Sequence, residues 1–211
     1  MTALPPSGNP RATLGLALRS IFMTLRARKV IFTNPIARVP IGAIERREPL
    51  PVDVDVLRDL LNSSLPACAA IAALVAFHGL RSSELQDLRL IDVDGGRLRL
   101  DHRTVPLAPV VRERLASWLD HRQQRWPATV NPHVFIHRRN AGGVHATGGL
   151  WLTRTLGMAP NALRTDRILD EAIATRGDVR RLSDLFGIDI KTAERYTRIL
   201  DGDNIENVTD A

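Results

Sequence analysis

Tyr196 is the only tyrosine in 211 residues, and it lies in the basic segment Lys191-Thr192-Ala193-Glu194-Arg195-Tyr196-Thr197. A phenol can fill a core or act as a nucleophile. Free tyrosine has a pKa of about 10, so nucleophilic work needs nearby cations or a base. Two arginines stand in distinctive local settings. Arg81 falls in Gly79-Leu80-Arg81-Ser82-Ser83-Glu84-Leu85, a tight connection between an apolar helix and a capped one. A guanidinium there can equally bind the carbonyls that end the first helix. Arg164 closes Asn161-Ala162-Leu163-Arg164; it reads as a site residue, a helix-surface charge, or a partner of Asp166 or Asp170. His133 and His137 are one helical turn apart, but Asn131-Pro132 argues against a helix and no third ligand follows, so no metal site is expected. Cys68, the single cysteine, sits in an apolar run and reads as a small buried hydrophobe.

The elements that must hold these residues follow from periodicity. Leu14, Leu18, Ile21, Phe22 and Leu25 recur at helical spacing, which predicts a basic amphipathic helix over 13–28 with Arg19, Arg26 and Arg28 off its apolar face. Residues 1–10 read as irregular, Asn34-Pro35 breaks the helix, and 39–49 read as a linker. Asp53 or Asp55 can cap a helix through Leu57, Leu60 and Leu61. Pro66 then opens a helix over 67–77 that is apolar nearly all round, hence central to a core, and it stops at His78-Gly79. Ser83 with Gln86 fits a capping box for the next helix, and Glu84 suits its positive end.

After Leu88 the period falls to two. Residues 90–93, the turn Asp94-Gly95-Gly96, and 97–100 predict a hairpin, with 104–107 as an edge strand because of Pro106. A long helix starts at Pro109 and ends before Trp126-Pro127; 131–136 read as a turn and short buried segment, and 141–149 as a flexible loop. Helices are expected near 150–156, 160–174, 178–186 and 190–200. The last two form a helix-turn-helix-like pair around Gly187, with Leu182, Leu185 and Phe186 inward from one and Ala193, Tyr196 and Leu200 on one face of the other. The fold class is mainly α with a small antiparallel β-sheet (α+β).

Charge is distributed unevenly. The first 50 residues hold eight Lys/Arg against Glu45 and Glu48, while the remaining 161 are balanced, so the whole excess of +6 lies in the N-terminal arm. Such an arm suits a polyanion, because phosphate contacts release condensed counterions; a solvated charged face is the alternative. No apolar run spans a bilayer, and residues 1–10 lack the pattern of a signal peptide, so a cytoplasmic protein is expected. With 4% aromatics, recognition of single strands by base stacking is not expected.

Three features now stand in register: the Gly79–Leu85 segment before a small hairpin, Asn161–Arg164, and Glu194-Arg195-Tyr196-Thr197 near the end. Over roughly residues 50–200 this order resembles the catalytic domain of tyrosine recombinases, the phage-integrase family. That family has an arginine in a G-L-R-x-x-E-L segment, a lysine on the hairpin, an H-x-x-R motif, a further His or Trp, and a nucleophilic tyrosine after arginine. The compact ending is similar to integrase-like proteins of mobile elements. The resemblance implies site-specific DNA recombination or integration: Tyr196 attacks a phosphodiester of double-stranded DNA, giving a 3′-phosphotyrosine and a free 5′-hydroxyl. A second strand's hydroxyl then reverses the step. Arg81 and Arg164 would neutralise charge on the non-bridging oxygens, with Glu84 orienting Arg81 or capping its helix. The bond energy stays in the protein–DNA link, so no cofactor, metal or small molecule is implied. The partner is duplex DNA, bound by a homo-oligomer, with Arg19, Arg26, Arg28, Lys29, Lys191 and Arg195 as candidate DNA contacts.

The departures are equally specific. The H-x-x-R histidine is Asn161, which can hydrogen-bond a phosphate oxygen but cannot take a proton at neutral pH. Ile188 or Asp189 stands where the family has His or Trp, in a segment one residue shorter. The hairpin carries no lysine; Arg99 and Arg103 are its nearest cations, and arginine is a poor proton donor to a leaving 5′-oxygen. His102 and the distant Lys191 are the candidates to replace it. The family's core-binding domain has as its counterpart only the arm, residues 1–48, with one amphipathic helix and a linker ahead of an integrase-like catalytic domain at 49–211. A non-catalytic DNA-binding protein, a degenerate integrase or a helix-turn-helix regulator, is the rival expectation.

Overall fold

The computed structural model describes residues 8–41, 52–101 and 103–206, the last eight of these by backbone alone. Its contacts divide the chain into two compact units, Met1–Glu48 and Pro49–Ala211.

In the first unit, α1 (Gly8–Ala27) begins five residues before the expected start, with Pro10 in the first turn where no N–H is needed. Lys29 closes it in a left-handed conformation (φ 58°), and Val30 N–H returns to Leu25 O at 2.9 Å. This is the helix-ending turn usually given to glycine. Residues 39–41 are no free linker. Arg19 Nη2 donates to Val39 O at 2.8 Å and Arg11 Nη2 to Pro40 O at 2.9 Å. Gly15 lies so close to Ile41 that an added Cβ would fall 2.2 Å from Ile41 Cγ2. The segment thus covers the face of Ala12, Gly15 and Arg19, and Leu14 and Ile21 of the expected apolar face are exposed.

In the second unit, α2 (Val54–Leu61) is capped by Asp53, whose side chain accepts from Asp55 N–H. It leads to α3 (Pro66–His78), in which every residue from Cys68 to Val75 is buried. A helix apolar on all sides has to sit at a centre, and α3 contacts α2, α5, α6 and α7. It ends at Gly79 (φ 60°), where a Cβ would also lie 2.5 Å from the Phe186 ring. Glycine is required there twice over, by backbone and by packing.

Next, α4 (Ser82–Asp87) has Arg81 as its N-cap residue, and the Glu84 carboxylate accepts from Arg81 N–H at 2.6 Å. The helix therefore starts two residues earlier than a Ser83/Gln86 box predicts, and Gln86 instead donates to Ser82 O. Residues Leu90–Asp92 form a 3-10 turn, with the Asp92 carboxylate accepting from Arg89 N–H at 2.8 Å. That local bond shortens the first strand to β1 (Val93–Asp94). It pairs with β2 (Arg97–Leu100) across Gly95-Gly96, both at positive φ as a tight hairpin turn demands. β3 (Arg103–Pro106) completes an antiparallel sheet in the order β1-β2-β3, with Leu100 opposite Arg103.

The rest is helical: α5 (Pro109–Arg125), α6 (Gly149–Leu156), α7 (Pro160–Ala174), α8 (Val179–Phe186) and α9 (Ile190–Glu206). Val134, Phe135 and Ile136 are buried as expected. The glycine-rich loop after them is pinned rather than flexible: the buried Asn131 amide donates to Asn140 O at 2.8 Å and His145 O at 3.0 Å. Two apolar clusters result. The larger surrounds α3, and the smaller joins Ile168, Leu169 and Ala172 of α7 to Leu182 and Phe186 of α8, Ile188, and Ala193 and Tyr196 of α9. Leu185, expected inward, is exposed, because the buried stripe of α8 runs through Leu182 and Phe186 one turn apart. Leu200 belongs to the stretch whose side chains lie outside the described residues.

Candidate functional site

Three arginines from separate elements meet at the C-terminal end of α8. Arg164, on the second turn of α7, is buried; its Nε donates to Gly79 O at 2.8 Å and its Nη2 to Phe186 O at 3.0 Å. Arg81, at the start of α4, donates through Nη2 to the Gly187 carbonyl. Arg103, at the start of β3, pairs through Nη2 with Glu84 Oε2 at 3.2 Å and is nine-tenths enclosed, 11% exposed. Its Nε and Nη1 are buried without hydrogen-bond partners in the structure. The α-carbon of Gly187 is the common point: a Cβ there would lie 3.4 Å from Arg103 Nη1 and 3.7 Å from Arg81 Nη2.

The local folding explains this convergence. Gly79 and Gly187 both adopt φ 60° and end α3 and α8, turning terminal carbonyls toward the guanidinium groups. Helix C-termini are electronegative, so cations are favoured there. Glu84 links two of the arginines, holding Arg81 by its backbone N–H and Arg103 by its guanidinium. Burial, with the nearby Arg81 charge, pulls the Arg164 guanidinium down to about 10, against the opposing influence of Glu84 and Tyr196. Burial also lowers Arg103, which Glu84 counters and Arg81 reinforces. At about 10, Arg164 remains a cation at neutral pH.

Beside them opens a cleft of about 340 Å³ lined in part by Arg81, Arg99 and Arg103. Its walls also carry Glu84, Asp87, Asp92, Asp101 and Asp184, so carboxylates outnumber guanidinium groups. The cleft is therefore of mixed charge, with Arg81 and Arg103 together at Gly187 and Arg99 among the carboxylates. Sequence signals were available, since Asp87, Asp92, Asp94 and Asp101 flank the hairpin.

Tyr196 lies in the smaller apolar cluster with its side chain 4% exposed, and Arg195 Cζ stands 5.8 Å from its ring centroid. Phe186, whose carbonyl accepts from Arg164, belongs to the same cluster. Its hydroxyl makes no hydrogen bond among the described residues. Asn161 is exposed on the first turn of α7, one turn before Arg164. His102 lies outside the described residues. Lys191 is exposed at the start of α9, where the Asp189 carboxylate caps the helix by accepting from Thr192 N–H at 2.9 Å. In the first unit, Arg26, Arg28 and Lys29 are exposed near the end of α1, whereas Arg19 is turned onto the Ala37 and Val39 carbonyls.

Two enclosed groups near the site, half-buried His78 and buried Glu171, were not singled out in the sequence. His78 Nε2 accepts from Ala108 N–H at 3.3 Å, and burial, aided by Arg167 and Arg103, lowers its pKa to about 4. It is a neutral structural acceptor. Glu171 is buried and receives Arg167 Nη2 at 2.7 Å and Arg181 Nε at 3.0 Å. The spacing of Arg164, Arg167 and Glu171, three and four residues apart, could have flagged a shared helix face.

No family model matches the chain, and no curated protein matches it in sequence. Solved structures do match its fold. XerA recombinase superposes with a TM-score of 0.58 at 19% identity, over 86% of this chain and 77% of that one. The XerH site-specific recombinase bound to difH substrate, in a pre-cleavage complex, gives 0.59 at 17% identity over 90% of this chain and 62% of that chain. A lambda integrase dimer bound to a COC′ core site gives 0.54 at 16%, over 88% and 58%. The fold, mainly helical with a three-stranded antiparallel sheet, is thus similar to that of tyrosine recombinase catalytic domains. The chain spans less than two thirds of the length of the latter two.

Proposed function

We propose that the protein acts on duplex DNA as a tyrosine-type site-specific recombinase of a mobile element. In this reaction the Tyr196 oxygen attacks a phosphodiester, its proton leaves, the bond to the 5′-oxygen breaks, and a 3′-phosphotyrosine forms with a free 5′-hydroxyl. Attack by a partner strand's 5′-hydroxyl restores the diester and the tyrosine. The observation that carries the proposal is the convergence of Arg81, Arg103 and Arg164 on the end of α8, next to the cluster holding the only tyrosine. Guanidinium groups fixed before reaction lower the barrier where charge develops on phosphate oxygens. Arg103 takes the hairpin position where lysine is expected and supplies charge without a transferable proton. The cations of the arm and Lys191 and Arg195 add phosphate contacts along the duplex, and assembly as a multimer brings the exchanging strands together.

The test incubates the protein with nicked duplexes carrying the host element's attachment sequence. A covalent protein–DNA adduct is expected, lost in Tyr196→Phe and reduced at least 100-fold in Arg164→Ala. If that DNA is bound and no Tyr196-dependent adduct appears, recombinase activity is excluded.

A second reading has its own support. The Tyr196 ring is enclosed, and the cleft beside the arginines is rich in carboxylates. Both suit a DNA-binding protein that uses α8 and α9 as a helix-turn-helix without catalysis. There, Tyr196→Phe leaves DNA binding and biological function intact, while changes at exposed Lys191 or Glu194 alter site preference.

A further inference from the structure

The cation-holding carbonyls of Phe186 and Gly187 can orient Arg164 and Arg81 only if the end of α8 is itself held in place. The apolar contacts of Leu182 and Phe186 pack α8 against α7 but are not directional. One buried group supplies direction. Glu171, 8% exposed on α7, engages both of its carboxylate oxygens: Oε2 with Arg167 of its own helix at 2.7 Å and Oε1 with Arg181 of α8 at 3.0 Å. Arg167 in turn stands 5.6 Å over the Phe186 ring and donates to Phe77 O at the end of α3. Glu171 is thus tied through Arg181 to the first turn of α8, and through Arg167 to Phe77 at the end of α3 and to the Phe186 ring at the end of α8 whose carbonyls hold the site arginines.

We infer that Glu171 is a positioning residue for the arginine site: it gathers Arg167 and Arg181 so that the end of α8 holds Arg81 and Arg164 side by side for one phosphate. This rests on the proposed phosphate chemistry of that site. The ordinary alternative is a staple that contributes stability alone. The two differ in what Glu171→Gln changes once the protein is folded. A bidentate carboxylate fixes two guanidinium groups in register, and a neutral amide cannot accept from both with the same geometry. As a positioning residue, its loss weakens the grip on a single phosphate; as a staple, it lowers the melting temperature and leaves phosphate binding untouched.

Because the chain has one tyrosine, full incorporation of 3-fluorotyrosine yields one fluorine resonance, that of residue 196. The full-length protein is titrated with inorganic phosphate at a temperature where each variant is folded. The wild-type line is expected to shift saturably, with Arg81→Lys weakening binding severalfold. Glu171→Gln should weaken it at least fivefold. Combined with Arg81→Lys, it should have less than its separate effect, since both act on one contact. On attachment-site DNA the adduct rate of Glu171→Gln should fall about tenfold while duplex affinity stays within twofold. If Glu171→Gln does not fold, Arg181→Gln, altered at the half-exposed end of the pair, is held to the same criteria. Wild-type phosphate affinity in a folded variant, or a wild-type line indifferent to phosphate, overturns the inference. Weaker phosphate binding in the variant with no adduct from the wild type removes the recombinase assignment and leaves Glu171 positioning an oxyanion site.

Discussion

Tyr196 serves two demands through different parts of one side chain: its ring fills an apolar cluster, and its hydroxyl has no protein hydrogen bond among the described residues. The two parts separate experimentally. Tyr196→Phe keeps the ring and should leave unfolding stability within about 1 kcal/mol, whereas Tyr196→Ala should cost about 3–5 kcal/mol by chemical denaturation. Glu84→Gln leaves the Arg103 guanidinium, already short of partners, without its counter-charge. A loss of about 3 kcal/mol is expected, as for other largely enclosed ion pairs cut on one side. His78 gives a pH signature. Its folded pKa of about 4 is depressed below the unfolded 6.5, so the unfolded chain binds the proton first. Its contribution is complete above pH 6.5 and is lost as pH falls toward 4, by up to about 3 kcal/mol. Urea unfolding at pH 7 and 4.5 should show a smaller difference in His78→Gln than in the wild type. At this scale the arginine–tyrosine set was legible, because residue type and order along the chain carry it. Glu171 and His78 were not, because their roles arise where helices distant in sequence cross.

The helices were legible from periodicity and punctuation. Pro66, Pro109 and Pro160 each open one, and Gly79 and Gly187 each close one in the left-handed conformation. What the pattern could not supply was competition from side chains near an element's end. Asp92 pulls Leu90–Asp92 into a turn and takes most of the expected first strand, and Glu84 reaches back to Arg81 and moves a helix start by two residues. The glycine-rich loop misled for a similar reason: composition suggests freedom, but Asn131 and Asn140 hold its backbone. The sharpest element-scale test is Gly79→Ala. A left-handed alanine costs about 1–2 kcal/mol, and its methyl would meet the Phe186 ring, adding about 1–3 kcal/mol of overpacking. A Phe186→Leu change in the same chain should recover part of the packing loss and none of the backbone loss.

On the scale of the molecule, charge and packing are partitioned differently. The positive excess lies in the arm, while the site's cleft is walled with carboxylates; under the proposed action on DNA, general affinity for the duplex and local grip on a phosphate come from separate residues. Replacing Arg26, Arg28 and Lys29 together by glutamine should lower duplex affinity across all sequences and reduce the salt slope by up to about 3. Packing is divided as well. The cluster around α3 holds most of the buried apolar side chains, and the one joining α8 and α9 to the far half of α7 is small and meets the end of α3 where Phe186 lies against Gly79. A cluster with few buried apolar contacts opens at lower free energy than a large one. Amides from Leu182 to Tyr196 should therefore exchange with deuterium as one cooperative group, and sooner than those at the centre of α3. Each such opening releases the carbonyls from Arg81 and Arg164 and frees the tyrosine at the same time, so the arginine site and the Tyr196 hydroxyl would become available to solvent on a single clock.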